Sequence, residues 1–177
     1  GTPQTVSASG TYFFRAQSGL GCWGPEASVS VVINPLPVQY TVLGGGSYCI
    51  GGPGVDVALS FSDTGINYQL FRGATLVTTS PGTGGALDFG LQTTAGAYTV
   101  VATNPVTGCT RNMAGTANVS INPLPLTFTV TGGGSYCSGG TGVNVGLNGS
   151  TVGVNYQLNL AGLPVGAGMA GSGAAIS

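Results

Sequence analysis

Gly44-Gly45-Gly46-Ser47-Tyr48-Cys49 recurs in this chain as Gly132-Gly133-Gly134-Ser135-Tyr136-Cys137, 88 positions further on. The same offset relates Asn67-Tyr68-Gln69-Leu70 to Asn155-Tyr156-Gln157-Leu158. Self-similarity at a fixed period of this length is typical of arrays and fibres, and it is stronger evidence of architecture than local sequence patterns are. The period therefore decides how the 177 residues are divided.

Three segments follow from the period. Residues 38–125 form one complete repeat, 1–37 are the back of another repeat, and 126–177 are the front of a third. When the tail is joined to the head, the motif that leads from Gly82 to Tyr98 in the complete repeat reappears with two extra residues. We therefore expect the front half at 126–177 to be completed by residues 1–37 of the next copy.

Short alternating segments predict an all-β fold. Val55, Val57, Leu59 and Phe61 alternate with polar or small residues, which is the two-residue period of a half-buried strand. Similar segments occur at 40–42, 66–70, 75–78, 86–89, 98–103 and 117–121, with 75–78 as an edge strand. About seven short strands separated by Gly, Pro and Asn turns indicate an antiparallel β-sandwich. The predicted fold is a head-to-tail tandem of Ig-like sandwiches, each of about 88 residues.

Charged residues are scarce: the chain has three Lys and Arg together, four Asp and Glu together, and no His. A nucleic-acid partner requires several cations to replace phosphate counterions, so that class is excluded, as is a basic membrane-binding patch. No apolar run is long enough to span a bilayer, so no membrane insertion is predicted. Because like-charge repulsion is weak, the expected partner is the chain itself, in head-to-tail and lateral contacts.

No catalytic, cofactor-binding or metal-binding pattern is recognised in the sequence. Serine nucleophiles lack a histidine base, and Asp56, Asp63 and Asp88 do not recur in the other repeats. The glycine-rich stretch 44–47 has no lysine and opens no helix, so it indicates a flexible turn rather than a phosphate site. The chain is predicted not to be an enzyme and to need no cofactor.

The cysteines occur as two per repeat, without the spacing of a zinc site. They indicate one disulfide per repeat and an oxidising, extracellular compartment. The direct pairing is Cys49 with Cys109, and Cys137 with Cys22 of the next copy. A bridge between adjacent repeats and free buried thiols are the alternatives that the sequence leaves open.

Two further features concern the ends of each repeat. Tyr12 and Tyr98 each follow a glycine turn at the start of a late strand, which predicts a tyrosine corner whose hydroxyl bonds back to the preceding loop. Two proline-rich joints of four residues should hold neighbouring repeats at a set angle. The predicted joint residues are Pro35, Leu36 and Pro37, and their counterparts Pro123, Leu124 and Pro125. Leu36 and Leu124 are expected to be buried at the joint, and a simple turn is the alternative.

Several of these motifs resemble a known family. Gly96-Ala97-Tyr98-Thr99-Val100 leading to Gly108-Cys109-Thr110, with Cys49-Ile50-Gly51 and Cys137-Ser138-Gly139 upstream, is similar to the Ig-like and PKD-like repeats of large Bacteroidota surface proteins. Repeats of gliding-motility adhesins end in a similar phrase. The resemblance implies secretion to the cell surface and a role as a stalk, fibre or adhesin.

The prediction is therefore a bacterial structural protein, part of an extracellular fibre or cell-surface stalk that supports adhesion. One alternative is a glycan- or surface-binding Ig-like module, for which Trp23 is the aromatic candidate. Another is a pilus-like subunit that polymerises by strand exchange. We expect Ser177 to continue covalently into Gly1 of the next copy, with separate subunits as the alternative.

Overall fold

The computed structural model of the protein describes residues 3–177, and the regular elements in this range are β-strands, which confirms the predicted all-β fold. In chain order the strands are β1 Gly10–Gln17, β2 Trp23–Val31, β3 Val42–Gly44, β4 Gly46–Cys49, β5 Val55–Leu59, β6 Asn67–Arg72, β7 Thr75–Pro81, β8 Leu87–Gln92, β9 Gly96–Thr103, β10 Thr110–Asn112, β11 Ala117–Asn122, β12 Val130–Gly132, β13 Val145–Leu147, β14 Asn155–Tyr156, β15 Asn159–Leu160, β16 Leu163–Pro164 and β17 Met169–Ala170. Residues 3–177 contain no helix that could span a membrane.

The chain divides into two compact units, Gly1–Ile121 and Asn122–Ser177. The first contains the complete repeat, whose strands form two sheets. One sheet has the order β3-β5-β8, and the other has the order β4-β11-β9-β6-β7, with β10 also paired to β9. β7 lies at the edge of the larger sheet, where the sequence predicted an edge strand. An isolated parallel bridge joins Thr41 to Ala114.

The two sheets of the complete repeat bury one common hydrophobic cluster, which makes this part of the chain sandwich-like. On β9 the buried residues Tyr98, Val100 and Ala102 alternate with less buried neighbours, as the two-residue period requires. The cluster draws on strands of both sheets and consists of Val42, Val57, Leu59, Tyr68, Leu70, Leu87, Tyr98, Val100, Ala102, Met113, Ala117 and Val119.

The glycine-rich stretch at 44–46 is a defined kink rather than the flexible turn indicated by the sequence. It carries the chain from β3 in one sheet to β4 in the other. All three glycines have positive φ, and a Cβ at Gly44 would overlap the carbonyl oxygen of Asp56. Glycine is therefore required here for both backbone conformation and space.

The remaining strand pair of the first unit is a hairpin formed by β1 and β2. Its antiparallel register places Tyr12 opposite Val29 and Phe14 opposite Ala27, with an irregularity between Arg15 and Gln17. We call β1 and β2 together the hairpin.

The second unit contains the front half of a repeat and is held by short pairings. β12 pairs with β13, β14 with β17, and β15 with β16, while Leu147 makes an isolated bridge to Ile176. The register of Val130 opposite Leu147 is that of Val42 opposite Leu59 in the complete repeat. We call residues 126–177 the open repeat.

Candidate functional site

The open repeat and the complete repeat share the same local hydrogen bonds. The Tyr156 hydroxyl accepts from the Thr151 amide at 2.8 Å, as the Tyr68 hydroxyl accepts from the Asp63 amide at 2.9 Å. The open repeat is therefore folded locally in the manner of the complete one.

A buried serine repeats in the same way. The Ser150 hydroxyl donates to the Ala174 carbonyl at 2.6 Å and accepts from the Ser172 amide at 3.0 Å. Ser62 makes the corresponding bonds to Gly85 and Thr83, at 2.8 and 3.0 Å. We call each of these two-bond arrangements a serine clasp.

What differs between the two repeats is the covering of the apolar side chains. Val42 is 7% exposed and Leu70 is fully buried, whereas their counterparts Val130 and Leu158 are 65% and 42% exposed. A cleft of about 360 Å³ opens between these side chains in the open repeat. We call its apolar lining, formed by Val130, Val145, Leu147, Tyr156 and Leu158, the open face.

The hairpin presents an apolar face of its own. Because Tyr12 lies opposite Val29 as Tyr98 lies opposite Ala117, the register aligns Phe14 with Val100. Val100 is 1% exposed in the complete repeat, but Phe14 is 71% exposed. We call this side of the hairpin, with Tyr12, Phe14, Ala16, Val29 and Val31, the hairpin face.

The glycine kink shows the same difference between the repeats. A Cβ on Gly45 would come within 2.7 Å of the Asn118 carbonyl on β11, whereas a Cβ on Gly133 would meet nothing within 4 Å. Residues 135–137 form no strand, although their counterparts lie in β4 beside β11. The segment after the second kink therefore lacks the strand against which its counterpart pairs.

Both residues of the predicted tyrosine corner make a hydrogen bond to the loop before them. The Tyr98 hydroxyl donates to the Thr94 carbonyl at 2.8 Å, and the Tyr12 hydroxyl donates to the Ala8 carbonyl at 2.8 Å. The hairpin thus has the same local geometry as β9 and the loop before it.

The predicted disulfide between Cys49 and Cys109 is absent, and all four cysteines, each within the described residues, carry free thiols. Cys109 precedes Thr110, which pairs with Thr103 at the end of β9. Cys49 follows Tyr48, whose hydroxyl donates to the Thr93 carbonyl before β9 begins, at 2.6 Å. The two cysteines therefore lie at opposite ends of an eight-residue strand, or about 23 Å. A disulfide requires Cα atoms within about 7 Å, so this pairing is wrong.

The pairing of Cys137 with Cys22 of the next copy involves a second chain and stays a prediction, but its geometry can be compared with that of Cys49 and Cys109. Cys137 is the counterpart of Cys49, and Cys22 precedes Trp23, which pairs with Gln17 at the end of β1. A repeat completed in this register would also hold its two cysteines at opposite ends. In the single chain, Cys22, Cys49 and Cys137 are exposed and Cys109 is partly buried.

At the predicted joints, the leucines are not buried. Leu36 and Leu124 are both exposed, whereas Pro37 is buried. Pro37 accepts a hydrogen bond through its carbonyl from the Arg111 guanidinium at 3.3 Å. The first connector is therefore attached to the complete repeat by its backbone. Pro35, Pro123 and Pro125, the other predicted joint residues, are likewise exposed.

Two polar pairs were not anticipated from the sequence, because the fold brings together residues that are distant along the chain. Partial desolvation and a hydrogen bond with Asp88 raise the pKa of Asp56. A hydrogen bond of 2.7 Å from the Tyr40 hydroxyl to Asp63 raises the pKa of Tyr40 to about 12. Among the described residues, no group of three or more His, Cys, Asp or Glu side chains is placed to hold a metal ion.

Trp23, the candidate for glycan binding, lies at the turn end of the hairpin and is exposed. The Arg15 guanidinium is 5.6 Å from the centre of its ring, and Arg15 also lies 3.8 Å from Glu26. Glycan binding at this position stays a prediction.

Comparisons with protein-family models, curated proteins and solved structures find no match to this chain. The resemblance to Bacteroidota surface repeats therefore rests on the quoted sequence motifs alone. The candidate site is the pair of exposed apolar faces, which are the open face and the hairpin face.

Proposed function

We propose that this protein is a structural component of an extracellular fibre or cell-surface stalk. Ig-like repeats follow one another head to tail, and the hairpin face of one copy covers the open face of the preceding copy. Each 177-residue period then contributes two complete sandwiches, one within a copy and one shared between two copies.

One observation carries the proposal: the residues exposed on the two faces are counterparts of residues that bury each other in the complete repeat. Leu70 and Val100 are both buried and lie opposite each other on β6 and β9. Their counterparts, Leu158 and Phe14, are exposed on the open face and the hairpin face. Apolar patches of this kind mark interaction surfaces.

The expected gain from covering the two faces is large. Burying a large apolar side chain contributes about 1.5–3 kcal/mol, and the two faces together carry several such side chains. The total, on the order of 10 kcal/mol, is comparable with the stability of a whole domain. Covering the two faces is therefore expected to protect the open repeat strongly against unfolding.

Features of the complete repeat support the Ig-like assignment. Two sheets with a common core, paired antiparallel in β3-β5-β8 and β11-β9-β6-β7, and a tyrosine bonded to the preceding loop are typical of Ig-like sandwiches. The low charge supports a body that packs against itself. Covalent continuity and separate subunits both use the same pair of faces.

The proposal is tested with two copies of the 177-residue chain fused head to tail. Hydrogen exchange followed by mass spectrometry should show that residues 126–177 of the first copy become strongly protected. The same residues of the second copy, which no hairpin follows, should exchange as in the single chain and serve as an internal reference.

Matched variants of neighbouring phenylalanines make the test specific. Phe14→Ser in the second copy should abolish the protection, because Phe14 belongs to the hairpin face. Phe13→Ser should leave it intact, since Phe13 lies on the opposite side of β1, and both side chains are exposed in the single chain. Equal effects of the two variants, or no protection in the fusion, would refute the proposed completion.

A further inference from the structure

We propose that the cysteines link consecutive repeats across each joint. Cys109 pairs with Cys137 of the preceding copy, and Cys49 pairs with Cys22 of the following copy. This inference rests on the proposed function, because it requires that the hairpin complete the open repeat of its neighbour.

Cys109 faces the connector at which the complete repeat begins. Its Sγ lies 3.8 Å from the carbonyl oxygen of Asn34, the residue that opens the Asn34-Pro35-Leu36-Pro37 connector. The Arg111 guanidinium, two residues further on, bonds to the carbonyl of Pro37. The turn that carries Cys109 is thus placed against the end of the preceding repeat.

Cys49 lies at the other end of the complete repeat. It is the last residue of β4, which is the sheet neighbour of β11. Gly45, just before β4, packs against Asn118, and Tyr48 bonds to the loop at Thr93. The strand therefore brings Cys49 beside the end of β11, where the complete repeat ends.

The sequence period brings both thiols to one place. Cys137 is the counterpart of Cys49, and Asn34 is the counterpart of Asn122 at the end of β11. In a completed repeat, Cys137 therefore lies beside Asn34 of the copy that supplies the hairpin, where the Cys109 thiol already lies. Cys137 would lie on the strand next to Asn34, about 4.8 Å from that residue. Since the Cys109 thiol is 3.8 Å from the Asn34 carbonyl oxygen, the two cysteines would be close neighbours, as the short Cα separation of a disulfide requires.

The same register relates the second pair. Cys22 is the counterpart of Cys109. Cys22 precedes β2, which pairs with β1, and Cys109 precedes β10, which pairs with β9. It would face Cys49 of the preceding copy across the Asn122-Pro123-Leu124-Pro125 connector. Both bridges join different copies, and both would restrict the swing of a four-residue connector.

The chemistry is an ordinary thiol–disulfide exchange with a small disulfide as oxidant, for example oxidised glutathione. One thiolate attacks the oxidant and releases one reduced thiol, and the second cysteine then attacks the mixed disulfide and releases the other. Two electrons and two protons pass from the cysteine pair to the oxidant. Three of the four thiols are exposed, so the oxidant can reach each pair.

The two-copy fusion separates this pairing from its alternatives. The fusion, kept dilute and monomeric, is oxidised with oxidised glutathione, its free thiols are counted by alkylation, and its linked peptides are identified by mass spectrometry. Pairing across joints predicts two disulfides, Cys109 with Cys137 and Cys49 with Cys22, and four free thiols. Pairing within repeats predicts three disulfides and two free thiols. Either this second result or a full set of free thiols would overturn the inference.

Single substitutions and exchange protection complete the test. Cys109→Ser should remove the link to Cys137 and leave the link between Cys49 and Cys22 intact; release of Cys49 instead would overturn the inference. Hydrogen exchange of the reduced fusion distinguishes the two proposals. If residues 126–177 of the first copy are protected in the reduced fusion but the oxidised fusion contains neither predicted disulfide, only the disulfide inference is overturned. If these residues are not protected in the reduced fusion, the proposed completion is overturned as well.

Discussion

The complete repeat and the open repeat have nearly the same local structure but very different burial. Both contain the glycine kink, the serine clasp and the tyrosine hydroxyl that binds a backbone amide. Only the complete repeat also has β9 and β11, which cover its core. The comparison shows that the local framework of a repeat is set by its front half, whereas its hydrophobic core depends on strands from the back half.

Truncation of a central leucine gives the largest expected difference between the repeats. Leu70→Ala should lower the free energy of unfolding of the complete repeat by about 3–4 kcal/mol, because it opens a cavity in a closed core. Leu158→Ala should cost less than about 1 kcal/mol in the single chain, since that side chain is already exposed.

Hydrogen exchange measured at increasing denaturant concentration gives the free energy of unfolding of each repeat, and hence the cost of each substitution. In the two-copy fusion, the cost of Leu158→Ala in the first copy should rise toward that of Leu70→Ala. An unchanged cost would show that the open face stays uncovered.

The glycine kink provides the second comparison. Gly45→Ala should cost about 2–3 kcal/mol, because the new Cβ combines an unfavourable φ of 83° with overlap at Asn118. Gly133→Ala has a similar φ of 79° but no close neighbour, so about 1 kcal/mol is expected. Thermal unfolding of the two variants tests the difference, and equal costs would contradict the assigned role of β11.

The sequence predicted those features that depend on neighbours along the chain. Alternation on β5 and β9 identified strands, and the glycine before Tyr98 identified its hydrogen bond to the preceding loop. Features that depend on strand register were missed, among them the association of Asp56 with Asp88. Sequence spacing does not tell which end of a strand a residue occupies.

The predicted cysteine pairing failed for that reason. Cys49 and Cys109 have a plausible separation along the chain, yet one lies where β9 begins and the other where it ends. The exposure of Leu36 was also missed, because the first connector is attached through the Pro37 carbonyl rather than by an apolar side chain.

The serine clasps should show where the two repeats are equivalent. Ser62→Ala and Ser150→Ala should each cost about 1–2 kcal/mol, because each leaves a backbone carbonyl and an amide without their partner. Local hydrogen exchange at Thr83 and Ser172 reports each loss separately. A much smaller effect at Ser150 would show that the open repeat is less ordered than its hydrogen bonds indicate.

The smallest effect is expected at Tyr40, whose counterpart in the open repeat is Phe128. The raised pKa means that the folded chain keeps the Tyr40 proton between pH 10 and about 12, whereas the unfolded chain releases it. The associated stability is fully present below pH 10 and is lost as the pH rises through about 12. Tyr40→Phe should therefore flatten the alkaline decline in the unfolding midpoint, and an unchanged slope would contradict the Tyr40–Asp63 pairing.

The parallel bridge between Thr41 and Ala114 has a mechanical consequence. The Val42 amide donates to the Ala114 carbonyl, and the Ala114 amide donates to the Tyr40 carbonyl, both at 2.8 Å. The chain enters the complete repeat at this point and leaves it along β11. Tension applied through the connectors would pull the two segments past each other, so that these hydrogen bonds are loaded in shear. They would then have to break at the same time and not one after the other. A filament made of such repeats would resist stretching until a whole sandwich ruptured in a single step.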